Sequence, residues 1–198
     1  MNILNKKTVV GGVSAIALAI IATVTGIEGG YVNNPLDPGG ATNHGITEQV
    51  ARDHGYTGSM EDLPLNQANE IYMQDYVVKP GFLPLVQIQS ALAEEIIDTG
   101  VNVGTSRSSR WFQNGLNQLS RGGKDYPQIN VDGKIGPQTI STYQALEKVR
   151  GKRKACELMI KVIDIQQGNH YLTLGMPAFT VGWIDHRIGN VDPTECTD

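Results

Sequence analysis

At 198 residues, 40% of them hydrophobic, the chain can bury the core of one domain, or of one domain with a small appendage. Its formal charge is −4, and all 20 acidic residues lie after residue 27, which argues against a nucleic-acid-binding surface because that needs clustered positive charge. Cys156 and Cys196 lack zinc-site spacing, so they are either unrelated thiols or one disulfide that holds the C-terminal tail.

The first element in chain order is an uncharged apolar segment, residues 8–27. Twenty helical residues at about 1.5 Å each span about 30 Å, so the segment predicts a transmembrane helix. Lys6 and Lys7 before it predict a cytoplasmic N-terminus and an exported body. Because eleven of the twenty residues are Gly, Ala, Ser or Thr, the segment is only weakly apolar. It fits a releasable signal anchor, a secretory signal cleaved near residues 17–19, or a permanent anchor.

The body after this segment reads as mostly helical. Residues 29–46 are rich in Gly, Pro and Asn, which favours turns and short irregular strands. Thr47 is placed to cap a short helix that stops at Gly55, and Pro64 opens a helix that Pro80 ends. Further helices are predicted at about 87–100, 107–120, 137–149, 152–167 and 177–188. The pattern therefore predicts a single all-α domain with one β-like excursion near its start.

The best candidate for chemistry is Glu28, which opens the run "EGGYVNNPLDPGGATNHGIT". Hydrolysis of a sugar polymer needs a carboxylic acid to protonate the leaving oxygen, and a second group that stabilises positive charge or activates water. Glu28 at the end of an apolar helix suits the first role, because partial burial keeps a carboxyl group protonated. Asp37 follows on a turn-rich segment that can fold back opposite Glu28, and Thr42 or Thr47 can orient a water.

This run resembles the signature of glycoside hydrolase family 108, peptidoglycan-cleaving N-acetylmuramidases found among phage endolysins. Looser similarity through "IYMQDYV", "IIDTGVNVG", "VDGKIGPQT" and "GWIDHRIG" extends the resemblance over nearly all of residues 28–190. It implies a lysozyme-like fold with a minimal β-hairpin region, and cleavage of the β-1,4 bond between N-acetylmuramic acid and N-acetylglucosamine. It also implies that Glu28 is the general acid. The spacing of Glu28 and Asp37 resembles phage-type lysozymes too, although Thr42 comes one residue earlier than in that pattern.

The resemblance implies a division of the chain into four parts. These are a signal-anchor-release transmembrane segment at 1–27, a lysozyme-like catalytic region at 28–100, a helical peptidoglycan-binding region at 101–190 packed in the same fold, and a tail at 191–198.

Other residues near the run are candidates for substrate binding, namely Tyr31, His44 and Thr47. Tyr31 either stacks on a sugar ring or packs in the core, and His44 either lines the cleft or bonds loop backbone. The histidines show no zinc-binding spacing, so we expect neither a metal nor a cofactor.

Farther along the chain, Trp111, Phe112, Leu116 and Trp183 are predicted as helix core rather than as a carbohydrate platform. Arg187 either binds a carboxylate of the substrate or closes an internal ion pair.

The weak anchor suggests a route to activation, since it resembles the segments of signal-anchor-release endolysins. Held at the inner membrane, Glu28 is obstructed by lipid headgroups, and release makes an active enzyme in the periplasm. The expected partners are peptidoglycan, the inner membrane and the host secretion machinery, with the protein itself a monomer. The alternatives are a non-catalytic peptidoglycan-binding protein, a peptidoglycan peptidase or amidase, and a secreted muramidase effector.

Overall fold

The computed structural model describes residues 15–24, 30–33 and 40–198, and the chain divides into two compact units, residues 1–79 and 80–198. In the described part, the secondary structure is mostly helical with one two-stranded sheet. This confirms the predicted helical body with a minimal β-hairpin region.

In the first unit, the described residues 15–24 form helix α1, which buries one of its sides. The buried side chains recur every three or four residues and are Ala17, Ile20, Ile21 and Val24. Ile16 and Leu18 on the other side are exposed. This spacing is that of a helix packed on a protein core through one face.

The prediction of a transmembrane helix over residues 8–27 is wrong. Among the residues that the structure describes, no helix combines the length and the apolar character needed to cross a membrane. The expected inner-membrane location and the activation by release depend on that helix, so they are overturned with it. The physical reason lies in the many small residues of the segment, which leave only a narrow apolar face, and α1 buries that face. Residues 8–14 and 25–27 lie outside the described residues.

A tight antiparallel hairpin follows, formed by β1 (Thr42–Asn43) and β2 (Ile46–Thr47). Thr42 pairs with Thr47, and Asn43 pairs with Ile46. His44 and Gly45 form the turn with φ of 50° and 73°, and two positive φ values in succession are those of a type I′ hairpin turn. On the outer edge of β1, Val32 pairs with Thr42 through two backbone hydrogen bonds of 2.8 and 2.7 Å.

Short helical segments complete the first unit: α2 (Glu48–Asp53), a 3₁₀ turn (Met60–Asp62), α3 (Leu65–Met73) and a π-helical turn (Gln74–Val78). As predicted, Thr47 caps α2, since its Oγ1 accepts the Val50 N–H at 3.4 Å. Pro64 immediately precedes α3, also as predicted.

Six α-helices build the second unit: α4 (Leu83–Ile88), α5 (Ser90–Val103), α6 (Thr105–Leu119), α7 (Pro137–Arg150), α8 (Lys152–Thr173) and α9 (Pro177–Arg187). A 3₁₀ turn (Pro193–Glu195) precedes the C-terminus. The sequence predicted five of these helices to within a few residues at most ends and missed α4. Gln89, which has extended backbone angles, separates α4 from α5.

Helix α5 is the central element of the second unit and packs against α4, α6 and α8. Most of its residues are buried. Helices α6 and α8 also pack closely on each other, because a Cβ at Gly115 would lie 2.9 Å from Val162 Cγ1. Gly115 therefore sets the separation of these two helices.

The C-terminal tail is fixed to this core by a disulfide between Cys156 on α8 and Cys196. Both cysteines are buried. Next to the disulfide, the Thr197 N–H donates to Gln89 Oε1 at 3.3 Å, and Gln89 Nε2 donates to the Thr197 carbonyl. Of the two alternatives for the cysteines, the structure therefore shows the disulfide that holds the tail.

Candidate functional site

The two predicted carboxylic acids, Glu28 and Asp37, lie outside the described residues. The other predicted site residues are Tyr31, Thr42, His44 and Thr47, and all four lie on the hairpin or next to its paired edge.

The two threonines form a directly opposed pair across the hairpin. The neighbouring pair is joined by the Glu48 N–H donating to the Ala41 carbonyl at 2.8 Å, so Thr42 and Thr47 occupy the closer, non-hydrogen-bonded register. Opposed residues of a ladder project to the same face, which therefore carries Thr42 and Thr47 with Val32. Asn43 and Ile46, on the other face, are buried. The hairpin thus presents a partly exposed pair of hydroxyl groups.

These two hydroxyl groups differ in what they already bind. The Thr47 oxygen accepts the Val50 N–H and so caps α2. Among the described residues, the structure shows no hydrogen bond for the Thr42 side chain. Thr42 is therefore the hydroxyl better able to orient a water, whereas Thr47 stabilises the element behind it.

The hairpin is held by side chains from later in the first unit. Asn43 Nδ2 donates to the carbonyl groups of Met60 and Glu61 at 2.8 and 3.0 Å. Tyr72 Oη donates to the His44 carbonyl at 3.3 Å, and burial raises the pKa of Tyr72, which keeps this hydroxyl protonated as a donor. Within the described residues, the His44 ring has no hydrogen bond. The alternative in which this ring bonds loop backbone therefore loses support.

Tyr31 stands immediately before the strand-like residue Val32 and is 41% exposed. Such exposure argues against the alternative of core packing and favours a role on the surface.

Two other acids of the first unit are engaged in ion pairs. Glu48 pairs with Arg52 at 2.7 Å, and Asp75 pairs with His54 at 2.9 Å and with Lys79 at 2.5 Å. Burial acts to raise the pKa of Asp75, but the hydrogen bonds from Lys79 and His54 outweigh it and lower that pKa. Asp75 is therefore not a proton donor near neutral pH.

The second unit contains a polar cluster within its core. Asp98 on α5 is paired with Arg187 at 2.5 Å and accepts from Asn190 at 3.1 Å. Arg187 thus closes an internal ion pair, which was one of its two predicted roles. Glu95, one turn earlier on α5, is 1% exposed, and no hydrogen bond from a described residue reaches its Oε2. Burial, followed by the charges of Asp164 and Asp98, raises the pKa of Glu95 well above its ordinary value.

A pocket of about 330 Å³ opens where the C-terminal end of α5 meets α6, α8 and α9. Its polar lining is Asn102, Arg107, His170 and Tyr171, and its apolar lining is Val103, Leu174, Met176 and Trp183. We call it the Arg107 pocket. Trp183 is stacked between Tyr171 and Phe179, with ring centroids 5.2 and 5.7 Å away. Trp183 therefore lines a cavity as well as packing on the unit, whereas Phe112 and Leu116 are fully buried as predicted.

The sequence did not predict this pocket. Arg107 and His170 are 63 residues apart and meet only because α6 packs on α8. Neither residue belongs to a motif, so no local signal connects them. Among the described residues, no group of three histidine, cysteine or acidic side chains is arranged to hold a metal ion.

Comparison with known proteins gives two family matches. Residues 21–104 match the family model for glycosyl hydrolase 108, and residues 107–188 match the model for a predicted peptidoglycan domain. The solved structure of SagA from Brucella abortus aligns with a TM-score of 0.63 and 24% identity, over 90% of this chain and 92% of that chain. This likeness shows a shared fold. A search of curated proteins found no significant match.

Proposed function

We propose a specific reaction for this chain, whose family matches support a lysozyme-like glycosyl hydrolase of family 108 with a peptidoglycan-binding domain. The reaction is hydrolysis of the β-1,4 bond between N-acetylmuramic acid and N-acetylglucosamine. One observation carries the proposal: the glycosyl hydrolase 108 match spans Glu28, Asp37 and the hairpin together.

In this proposal Glu28 is the general acid that protonates the leaving oxygen, and Asp37 is the second carboxylate across the bond. Their spacing in the sequence supports their cooperation, because Glu28 and Asp37 come shortly before and shortly after Val32, the residue that pairs with Thr42 of the hairpin.

The described residues receive supporting roles. Thr42 orients water, because its hydroxyl group is on the partly exposed face of the hairpin and is not used for capping. Tyr31 and His44 contact the sugar chain. Thr47 caps α2 and pairs with Thr42 in the hairpin, so its role is to hold Thr42 in position for the substrate.

The disulfide is consistent with a substrate outside the cytoplasm. Disulfides persist in oxidising compartments, and peptidoglycan also lies outside the cytoplasm. Within this chemistry we propose the role of a monomeric endolysin in host lysis, on the resemblance of the Glu28 run to phage enzymes. A gene neighbour that encodes an immunity partner would contradict this role in favour of a secreted effector.

The decisive test is Glu28→Gln, which keeps the size of the side chain and removes its proton donor. We expect the release of new reducing ends from purified peptidoglycan to fall by about a hundredfold to ten-thousandfold, the usual contribution of a general acid. Glu61→Gln makes the same change at an exposed residue of the same unit and should leave the rate unchanged.

Other outcomes would support other functions. Free amino groups in the digest, in place of reducing ends, would indicate a peptidase or amidase. A wild-type protein that sediments with peptidoglycan but releases no fragments would indicate a non-catalytic binder. Undiminished hydrolysis by Glu28→Gln would contradict the assignment of the general acid.

A further inference from the structure

The proposed mechanism makes no use of the Arg107 pocket, yet this pocket contains a cation without an acidic partner. Arg107 Nη1 is 3.2 Å from the Val103 carbonyl oxygen and 3.1 Å from His170 Nε2. Among the described residues, no carboxylate lies within ion-pair distance of it. Arginines that do contact a carboxylate elsewhere are Arg52, Arg121, Arg150, Arg153 and Arg187.

The neighbouring histidine, His170, adds no charge of its own to the pocket. Burial, and then the charge of Arg107, lower the pKa of His170, so its ring is neutral near pH 7 and can accept from the guanidinium. The described residues that line the pocket include no acid. In a chain of net charge −4, the pocket is therefore a local positive site, complementary to an anion.

The rest of the lining favours an anion with small apolar groups beside it. Leu174 and Met176 are 42% and 44% exposed at the pocket, although both are apolar. Trp183 is fixed by the rings stacked on it, so this wall is ordered before a ligand arrives. The Tyr171 hydroxyl group donates a hydrogen bond to Asn102 Oδ1. The NH₂ group of the Asn102 amide is therefore a second hydrogen-bond donor for a ligand, beside Arg107.

We infer that the Arg107 pocket binds the peptide stem of peptidoglycan through a free carboxylate, with the alanine methyl groups of the stem against Leu174 and Met176. A guanidinium binds a carboxylate in a forked, two-bond geometry, and this requires the kind of unpaired, accessible arginine found here. The inference rests on the proposed function for the identity of the polymer. It adds the part of the polymer that is recognised and the residues that recognise it.

Soluble peptides test the pocket separately from hydrolysis. The probe is the stem tripeptide L-Ala-γ-D-Glu-L-Lys, and the matched ligand is the same peptide with its carboxylates amidated. By calorimetry on the Glu28→Gln protein, we expect the free acid to bind and the amide to bind at least tenfold more weakly.

Variants of Arg107 then locate the site. Arg107→Gln should weaken binding of the acid roughly tenfold to hundredfold, as expected for loss of a hydrogen bond to a charged group. Arg107→Lys keeps the positive charge but loses the two-bond geometry of the guanidinium, so its affinity for the acid should lie between those of wild type and Arg107→Gln. Arg153→Gln, an exposed arginine of the same unit, is the matched control and should bind as wild type does. Thermal unfolding of each variant reports any loss of structure. Such a loss would weaken binding of the acid and of the amide alike.

Three results would overturn the inference: equal binding of acid and amide, unchanged binding by Arg107→Gln, and displacement of bound peptidoglycan by chitotetraose but not by the tripeptide. The proposed function fails on different evidence. A chain that binds the tripeptide but releases no reducing ends contradicts the hydrolase alone, and a chain that hydrolyses peptidoglycan but ignores the tripeptide contradicts the pocket alone.

Discussion

Gly45 is the residue at which the hairpin turn meets helix α3. Its φ is 73°, and a Cβ at this position would clash with Tyr72 Oη. We predict that Gly45→Ala lowers the free energy of unfolding by about 1–2 kcal/mol for the backbone strain alone, with a further loss for the clash. Urea unfolding measures this change.

Gly55→Ala separates the two contributions, because Gly55 has a φ of 82° but no atom within 4 Å of the place that a Cβ would occupy. Gly55→Ala should lower the free energy of unfolding only by the amount due to backbone strain. In the Gly45→Ala/Tyr72→Phe double variant, the missing hydroxyl group should relieve the clash. Equal losses for Gly45→Ala and Gly55→Ala would show that contact with Tyr72 is unimportant.

Single residues were predicted from the sequence where local chemistry decides their role. Thr47 followed by a helical pattern is enough to predict its cap, because a capping oxygen bonds an N–H three residues later. The contrast between Thr42 and Thr47 could not be predicted, because it depends on which hydroxyl group the folded backbone already uses. The role of Arg187 was left open for the same reason, since its partner Asp98 is 89 residues away.

At the scale of the element, α5 carries a buried acid, Glu95, one of whose carboxyl oxygens accepts from Thr99 at 3.5 Å while the other has no hydrogen-bond partner among the described residues. Glu95 is buried, and its folded pKa is raised above the ordinary 4.5 by burial and by the neighbouring acids Asp164 and Asp98. A folded pKa above the unfolded one means that the folded state holds its proton more tightly. Its contribution to stability is therefore full below about pH 4.5 and is lost as the pH rises through the folded pKa.

We predict that Glu95→Gln makes the free energy of unfolding less dependent on pH. Between about pH 5 and pH 8, wild type should lose unfolding free energy as the pH rises, because the folded state holds the Glu95 proton more tightly than the unfolded state does, and Glu95→Gln should lose less. Urea unfolding across this range is the measurement. Glu157→Gln removes a carboxylate whose pKa is lowered by Lys154, so it should keep the wild-type slope. Identical slopes for wild type and Glu95→Gln would contradict the burial of a protonated acid.

Helix periodicity predicted α5 to α9, because each has apolar residues at helical spacing. The boundary between α4 and α5 was not predictable in this way. Gln89 breaks the helix while its side chain bonds the backbone of Thr197, 108 residues away, so a tertiary contact decides a local conformation. The prediction of a transmembrane helix over residues 8–27 was wrong for a related reason. Composition cannot tell whether a weakly apolar helix packs on lipid or on protein, whereas the burial of α1 can.

For the whole molecule, the disulfide is the largest single constraint that the structure shows on the unfolded chain. It links residues 40 apart, and closing a loop of that length stabilises a protein by about 4 kcal/mol in the chain-entropy model. We predict that reduction lowers the unfolding free energy by up to about this amount. The comparison is urea unfolding with and without a thiol, and a Cys156→Ala/Cys196→Ala variant should not respond to the thiol. A wild-type protein that is equally stable in both conditions would contradict the prediction.

The disulfide bears on how wall-degrading activity is detected. Gel assays with murein cast into the matrix begin by boiling the sample in detergent, commonly with mercaptoethanol, and rely on refolding inside the gel. A reduced polypeptide refolds without the bond between Cys156 and Cys196 and is therefore less stable when the gel is developed. Samples loaded without reductant should give the brighter zone, and a blank lane from a reduced sample is no evidence of an inert protein.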